Sequence, residues 1–146
     1  MTRIGATVAK NRLDQGLTKR LASRLRSAGV VYASLFGSLA RGEARPDSDA
    51  DVAVSFGKAM NAKQYLAVIG IVVDETRRSV DVVDLESVNG LILARALGGR
   101  EILCDKVATR QRMIVRLMRT EDDRISAAIA ARAARAGLFT SRTRRL

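Results

Sequence analysis

A glycine–serine pair followed by two spaced aspartates offers the residue types and spacing that could do chemistry in this chain. Gly37 ends a short apolar run, and Ser38 follows it directly. Glycine lacks a Cβ and reaches backbone angles closed to other residues, so a phosphate group could approach the main chain there. Ser38 is predicted to cap a short turn over residues 39–41, whose N–H groups suit an anion. The segment therefore predicts a phosphate site.

Asp49 and Asp51 come next, and the sequence predicts that both lie on one face of a strand. Side chains two positions apart in a strand point the same way. Neighbouring like charges oppose each other's ionisation, and a divalent cation removes that conflict. Mg²⁺ takes oxygen ligands and is usually held by one or two carboxylates together with substrate phosphates. The pair therefore predicts a magnesium site beside the phosphate site.

A third carboxylate is available in the strand-like run of residues 79–85. Asp81 and Asp84 fall on opposite faces of that strand, so only one of them can join Asp49 and Asp51. We choose Asp81, since it lies between valines, where an unpaired carboxylate would be costly without a metal or a partner. Asp84 lies near the strand end and is more easily solvated.

Composition excludes several classes of function. The chain has no histidine and one cysteine, which excludes Ser-His-Asp and Cys-His catalysis, zinc fingers and an internal disulfide. Cys104 ends an apolar run and is interpreted as a buried structural thiol. The sequence has no apolar run of about 18 residues, and its first ten residues lack a signal-peptide core. These features predict a soluble cytoplasmic protein without a membrane partner.

Helical and strand-like patterns alternate along the chain. A helix over residues 17–28 precedes the strand before Gly37, and a helix over residues 62–77 connects the two aspartate strands. A further helix over residues 87–97 ends at two glycines, before a short strand that reaches Cys104. The apolar positions of the middle helix predicted to face the sheet are Leu66, Ile69, Val72 and Val73.

Most of the formal net charge of +11 comes from residues after 105. An apolar stripe over residues 107–118 predicts one helix, and a weaker alanine-rich stripe over residues 125–133 predicts another. The predicted organisation is a first domain at 1–105, a C-terminal helical extension at 106–138 and a disordered basic tail at 139–146.

Three interpretations of this basic C-terminal arm remain open. Its arginines could form a solvated face and reflect a GC-rich genome. They could bind nucleic acid through phosphates, although stacking residues are few, with no Trp, two Tyr and three Phe. They could also dock an acidic partner protein.

Gly37-Ser38, ten intervening residues and Asp49-x-Asp51, with Asp81 in a later strand, resemble the signature of the DNA polymerase β-type nucleotidyltransferase superfamily. Within it, the chain is similar to the minimal nucleotidyltransferases, which are often antitoxin partners of HEPN-domain toxins. The resemblance covers roughly residues 17–105. It implies an α+β fold with a small mixed sheet, helices on one face and the site at the exposed sheet edge.

The resemblance also implies roles for these residues. Gly37 and Ser38 would bind the nucleoside triphosphate, and Asp49 and Asp51 would hold metal, with Asp81 as third catalytic carboxylate and metal ligand. The implied activity moves NMP, such as AMP from ATP, to a hydroxyl of a HEPN-type toxin with two Mg²⁺ ions. In the alternative, the chain is a binding module with little catalysis, which neutralises a partner protein or binds nucleic acid through its basic arm.

Overall fold

The computed structural model of the chain describes residues 14–135. The predicted tail at 139–146 lies outside them. Five helices and four strands follow one another in this part of the chain: α1 (Gln15–Ser27), β1 (Tyr32–Phe36), α2 (Gly37–Arg41), β2 (Ala50–Ser55), α3 (Ala62–Thr76), β3 (Val80–Asp84), α4 (Gly90–Leu97), β4 (Arg100–Cys104) and α5 (Val107–Arg135).

The four strands form one mixed sheet in the order β3-β2-β1-β4. Strand β1 is antiparallel to both of its neighbours. Strands β2 and β3 are parallel, as the crossover through α3 requires. The predicted mixed α+β sheet is confirmed, and β3 is an edge strand.

Helices cover both faces of this sheet, whereas the resemblance implied one. On the first face, α1 and α3 pack against inward residues of β1 and β2. On the second face, α4 and the first turns of α5 pack against the alternate residues of the same strands. The first cluster includes Leu21, Leu25, Leu35, Val52, Val68 and Val72, and the second includes Tyr32, Ala53, Leu93, Ala96 and Met113.

The predicted orientation of α3 is wrong in part. Val72 is fully buried as expected, but Leu66 and Val73 are 66% and 40% exposed, and Ile69 is half-buried. Val68 takes the inward position instead, with no exposed surface. Residues 65–73 are almost all apolar, so the pattern contains too little contrast to fix which side of the helix faces the sheet.

Helix α5 is one continuous helix of 29 residues, not the two that were predicted. Neither glycine nor proline separates the two apolar stripes, so nothing in the sequence ends the first helix. Met113 of this helix is fully buried, and Arg116 donates hydrogen bonds to the carbonyl oxygens of Leu85 and Val88. The first turns of α5 are therefore packed on the sheet domain. None of the helices within residues 14–135 has the length and apolarity needed to cross a membrane.

Candidate active site

A cleft of about 1000 Å³ opens where β1 ends and α2 begins. Four of the five predicted site residues, Gly37, Ser38, Asp51 and Asp81, line it. Asp49 is exposed and comes directly before β2. The complete lining consists of Phe36, Gly37, Ser38, Ala40, Arg41, Asp51, Asp81, Arg95, Gly98, Gly99 and Arg100.

Gly37 allows the main chain to touch the carboxylate of Asp51. Its φ is +71°, in the left-handed region, and a Cβ built there would lie 2.1 Å from Oδ2 of Asp51. Glycine is the one residue that avoids both the strain and the clash. The requirement for glycine at this position therefore comes from the position of Asp51 as well as from the turn.

The predicted capping role of Ser38 is wrong. Helix α2 begins at Gly37, and its N-cap residue is Phe36, whose side chain makes no capping hydrogen bond. The left-handed Gly37 turns the chain into the helix by itself, so Ser38 already lies inside the first turn. Its hydroxyl is consequently not used as a cap, and Ser38 lines the cleft.

The sheet brings the acidic residues together. Asp51 on β2 pairs with Asp81 on β3 in the parallel register. Burial raises the pKa of Asp51 above its ordinary value, and the charges of Asp81 and Asp49 raise it further, whereas Arg41 lowers it. The charges of Asp49 and Asp81 are thus both close enough to act on Asp51.

Asp81 and Asp84 lie in different surroundings, but their burial is the reverse of what the sequence predicted. Asp81 is exposed, because β3 is an edge strand, so it was wrong to expect a buried carboxylate there. Asp84 is the half-buried one, and its carboxylate accepts hydrogen bonds from the N–H groups of Met60 and Glu86 and from the hydroxyl of Ser87. Asp84 therefore stabilises the loops around the end of β3, while Asp81 shares the cleft with Asp51.

The acidic cluster fits a cation that arrives with its substrate. Within residues 14–135, no group of three or more metal-ligating side chains forms a ready-made site. Mg²⁺ does not need one, because it commonly binds through one or two carboxylates and completes its shell with phosphate oxygens and water. The repulsion that opposes ionisation of Asp51 is also the conflict that a divalent cation would relieve.

The other wall of the cleft was not predicted. Gly98 and Gly99 were predicted only to end a helix, and neither Arg95 nor Arg100 was predicted to line the site. A Cβ on Gly99 would lie 2.4 Å from the carbonyl oxygen of Leu35, so this glycine permits close approach of two backbones. A double glycine directly before a strand was the available signal for such an approach.

The polymerase beta nucleotidyltransferase family matches residues 19–108 of the sequence. The chain belongs to this family. No curated protein matches it.

Solved structures of toxin–antitoxin complexes share the fold. An MntA–HpeT mutant complex gives a TM-score of 0.66 at 16% identity, covering 78% of this chain and 94% of that chain. A toxin–antitoxin structure with AMP-PNP gives 0.58 at 19% identity, covering 86% and 98%. A Shewanella oneidensis complex, in which a tri-AMPylated HEPN toxin is bound to an MNT antitoxin, gives 0.58 at 16% identity, covering 83% and 100%. These likenesses confirm the fold that the resemblance implied, whereas nucleic-acid binding gains no support from them.

Proposed function

We propose that this protein transfers AMP from ATP to a hydroxyl group of a HEPN-type toxin and thereby acts as its antitoxin. The observation that carries the proposal is the meeting of Gly37, Ser38, Asp51 and Asp81 in one cleft. Two of the structurally similar complexes add support, since one contains AMP-PNP and the other an AMPylated toxin.

In this proposal the Gly37–Ser38 turn binds the triphosphate, and Asp49, Asp51 and Asp81 hold two Mg²⁺ ions. When bound, the ions would neutralise phosphate charge and favour ionisation of the acceptor hydroxyl. The acceptor oxygen bonds to the α-phosphorus, the bond from that phosphorus to the bridging oxygen breaks, and pyrophosphate leaves with the electron pair. The hydroxyl proton passes to Asp81, whose exposed carboxylate accepts no hydrogen bond within residues 14–135.

The chain is suited to this chemistry because phosphoryl-type transfer needs positioning and charge neutralisation more than covalent chemistry. It contains no histidine, so carboxylates are the groups available to manage the proton. Asp51 is placed by two constraints, the pairing of β2 with β3 and the contact with Gly37. Such double positioning is what an in-line displacement requires.

The exposed surface of the helices on the second sheet face supports a protein as the acceptor. Helices α4 and α5 expose large apolar side chains, including Leu91 and Met118, each 61% exposed. Exposed apolar side chains that recur on neighbouring elements are typical of protein interaction surfaces. They support a macromolecular acceptor over a small molecule.

The direct test mixes the protein with a candidate toxin, the product of its neighbouring gene, together with ATP and Mg²⁺, and weighs both proteins intact. We expect the toxin to gain the mass of one or more AMP groups. Asp51→Asn and Asp81→Asn should abolish the gain. Asp47→Asn is the matched control, because Asp47 is an exposed carboxylate in the loop before β2 that does not line the cleft.

Two outcomes contradict the proposal. One is no mass gain with the wild-type protein, and the other is an equal gain with Asp51→Asn. If the double variant Asp51→Asn/Asp81→Asn still neutralises the toxin in cells, then binding, not chemistry, performs the neutralisation.

A further inference from the structure

The charges that line the cleft are divided between its two sides. In the sheet order, β2 and β3 lie on one side of β1 and carry Asp51 and Asp81. Strand β4 lies on the other side of β1, and helix α4 comes directly before it. This second side contributes Arg95 and Arg100 to the lining, while Arg41 comes from α2. Arg95 and Arg100 therefore lie on the side of β1 away from Asp51 and Asp81.

Among these arginines, Arg95 differs in having no partner in the part of the chain that the structure describes. Arg41 pairs with Glu43 at 3.1 Å, and Arg100 also interacts with a neighbouring group. Arg95 is exposed and forms no ion pair or hydrogen bond with any of the residues 14–135. A guanidinium keeps its charge at every physiological pH and presents a fork of donors that matches phosphate oxygens. Its donors remain available to a ligand in the cleft.

Helix α4 holds Arg95 in a fixed place relative to the Gly37 turn. The buried hydroxyl of Ser34 donates a 2.7 Å hydrogen bond to the carbonyl oxygen of Ala96, the residue after Arg95. Gly99 brings the chain within close contact of Leu35. Both anchors are on β1, the strand that continues into Gly37. The backbone beside Arg95 and the Gly37 turn are thus both anchored to β1, which limits how far they can move apart before a substrate binds.

We infer that Arg95 binds the β- and γ-phosphates of the nucleoside triphosphate and holds the pyrophosphate as it leaves. This inference rests on the proposed function, because it assigns a residue to the triphosphate of that same site. Negative charge grows on the leaving pyrophosphate in the transition state, and a positioned guanidinium stabilises charge there. Asp51 and Asp81 repel a phosphate group unless a metal ion lies between them, whereas the guanidinium of Arg95 attracts it directly.

Nucleotide affinity tests the inference without a partner protein. Isothermal titration calorimetry of the full chain with Mg²⁺ compares ATP with AMP for the wild type, Arg95→Gln and Arg95→Lys. We expect Arg95→Gln to weaken ATP binding about tenfold or more and AMP binding less than about twofold, since a charge-assisted contact is lost only from the outer phosphates. Arg95→Lys should retain part of the ATP affinity. The control is Arg119→Gln on α5, an exposed arginine outside the cleft.

The outcomes separate this inference from the proposed function. It is overturned if Arg95→Gln binds ATP as the wild type does, if ATP and AMP lose affinity equally, or if only the KM for the acceptor protein rises. A wild-type protein that binds ATP but transfers no AMP overturns the proposed function alone, and the affinities still decide the role of Arg95. A wild type that binds no ATP overturns both. If Arg95→Gln has a lower melting temperature than Arg119→Gln, Arg95→Lys takes its place in the test. A ratio of ATP affinity to AMP affinity in Arg95→Lys that equals the wild-type ratio then overturns the inference.

Discussion

Replacing Gly37 with alanine perturbs the active-site geometry by a single methyl group. That methyl carbon would lie 2.1 Å from Oδ2 of Asp51 and 3.1 Å from its Cγ. An ordinary van der Waals contact requires roughly 3.4 Å, so the carboxylate must move by about 1 Å. The variant therefore shifts a predicted metal ligand without removing any charge.

The matched control is Gly42→Ala. Gly42 has a φ of +73°, against +71° for Gly37, but no atom of residues 14–135 lies within 4 Å of a Cβ built on it. Both variants place an L-residue in the left-handed region, which costs about 1–2 kcal/mol. Only Gly37→Ala displaces Asp51, and a misplacement of about 1 Å lowers the rate of a positioned reaction by about 100-fold.

Urea unfolding and the rate of AMP transfer, followed by intact mass, measure the two effects separately. We expect both variants to lose about 1–2 kcal/mol of unfolding free energy and only Gly37→Ala to lose about two orders of magnitude in rate. A Gly37→Ala protein that transfers AMP within a few-fold of Gly42→Ala would refute the link between this glycine and the placement of Asp51. A Gly42→Ala protein that is equally inactive would show that backbone strain, not the clash, controls the site.

Three further predictions concern stability. Burial raises the pKa of Tyr32 from 10.0 to about 12. The stabilisation from its neutral hydroxyl is therefore fully present below pH 10 and is lost as pH rises through about 12. The unfolding free energy should fall by about 2–3 kcal/mol across that window, and Tyr32→Phe should remove this slope. The hydrogen bond from Arg112 lowers the pKa of Glu86, so its contribution is present above pH 4.5 and is lost as pH falls through the lowered value; Glu86→Gln should flatten acid unfolding in that range. Met113→Ala should cost about 2–5 kcal/mol because Met113 is fully buried, whereas Met118→Ala, at a residue 61% exposed, should change stability by less than about 0.5 kcal/mol.

The sequence predicts the acidic and glycine parts of the candidate site because their spacing is local. Gly37, Asp49 and Asp51 are close in the chain, and Gly37 and Asp51 do meet in the cleft, whereas Asp49 comes directly before β2 and does not line it. The position of Asp81 at an edge could not be predicted, since strand order is set by contacts between distant segments. Arg95 was missed for the same reason, as only the folded chain brings α4 against β1.

Helix positions could be predicted where apolar and polar residues lie on distinct sides of the helix, or where a glycine marks the helix end. Helix α1 is amphipathic and ends next to a glycine, and its predicted range agrees closely with the structure. The inward side of α3 could not be predicted, because residues 65–73 are apolar on nearly all sides. The number of helices after residue 105 was wrong, because a charged segment without glycine or proline does not interrupt a helix.

The location of Asp81 on an edge strand has a consequence for how the protein responds to heat. Strand β3 has β2 as its one pairing neighbour in the sheet, and its far end is fastened by Asp84 and, through the following loop, by Arg116. The end that carries Asp81 is fastened by Arg78, which donates hydrogen bonds to the carbonyl oxygens of Arg45 and Ser48. As an edge strand, β3 can still detach by losing a single ladder of backbone hydrogen bonds. Such partial opening would separate Asp81 from Asp51 while the rest of the sheet stays folded. The enzyme should therefore lose its activity several degrees below the temperature at which it melts.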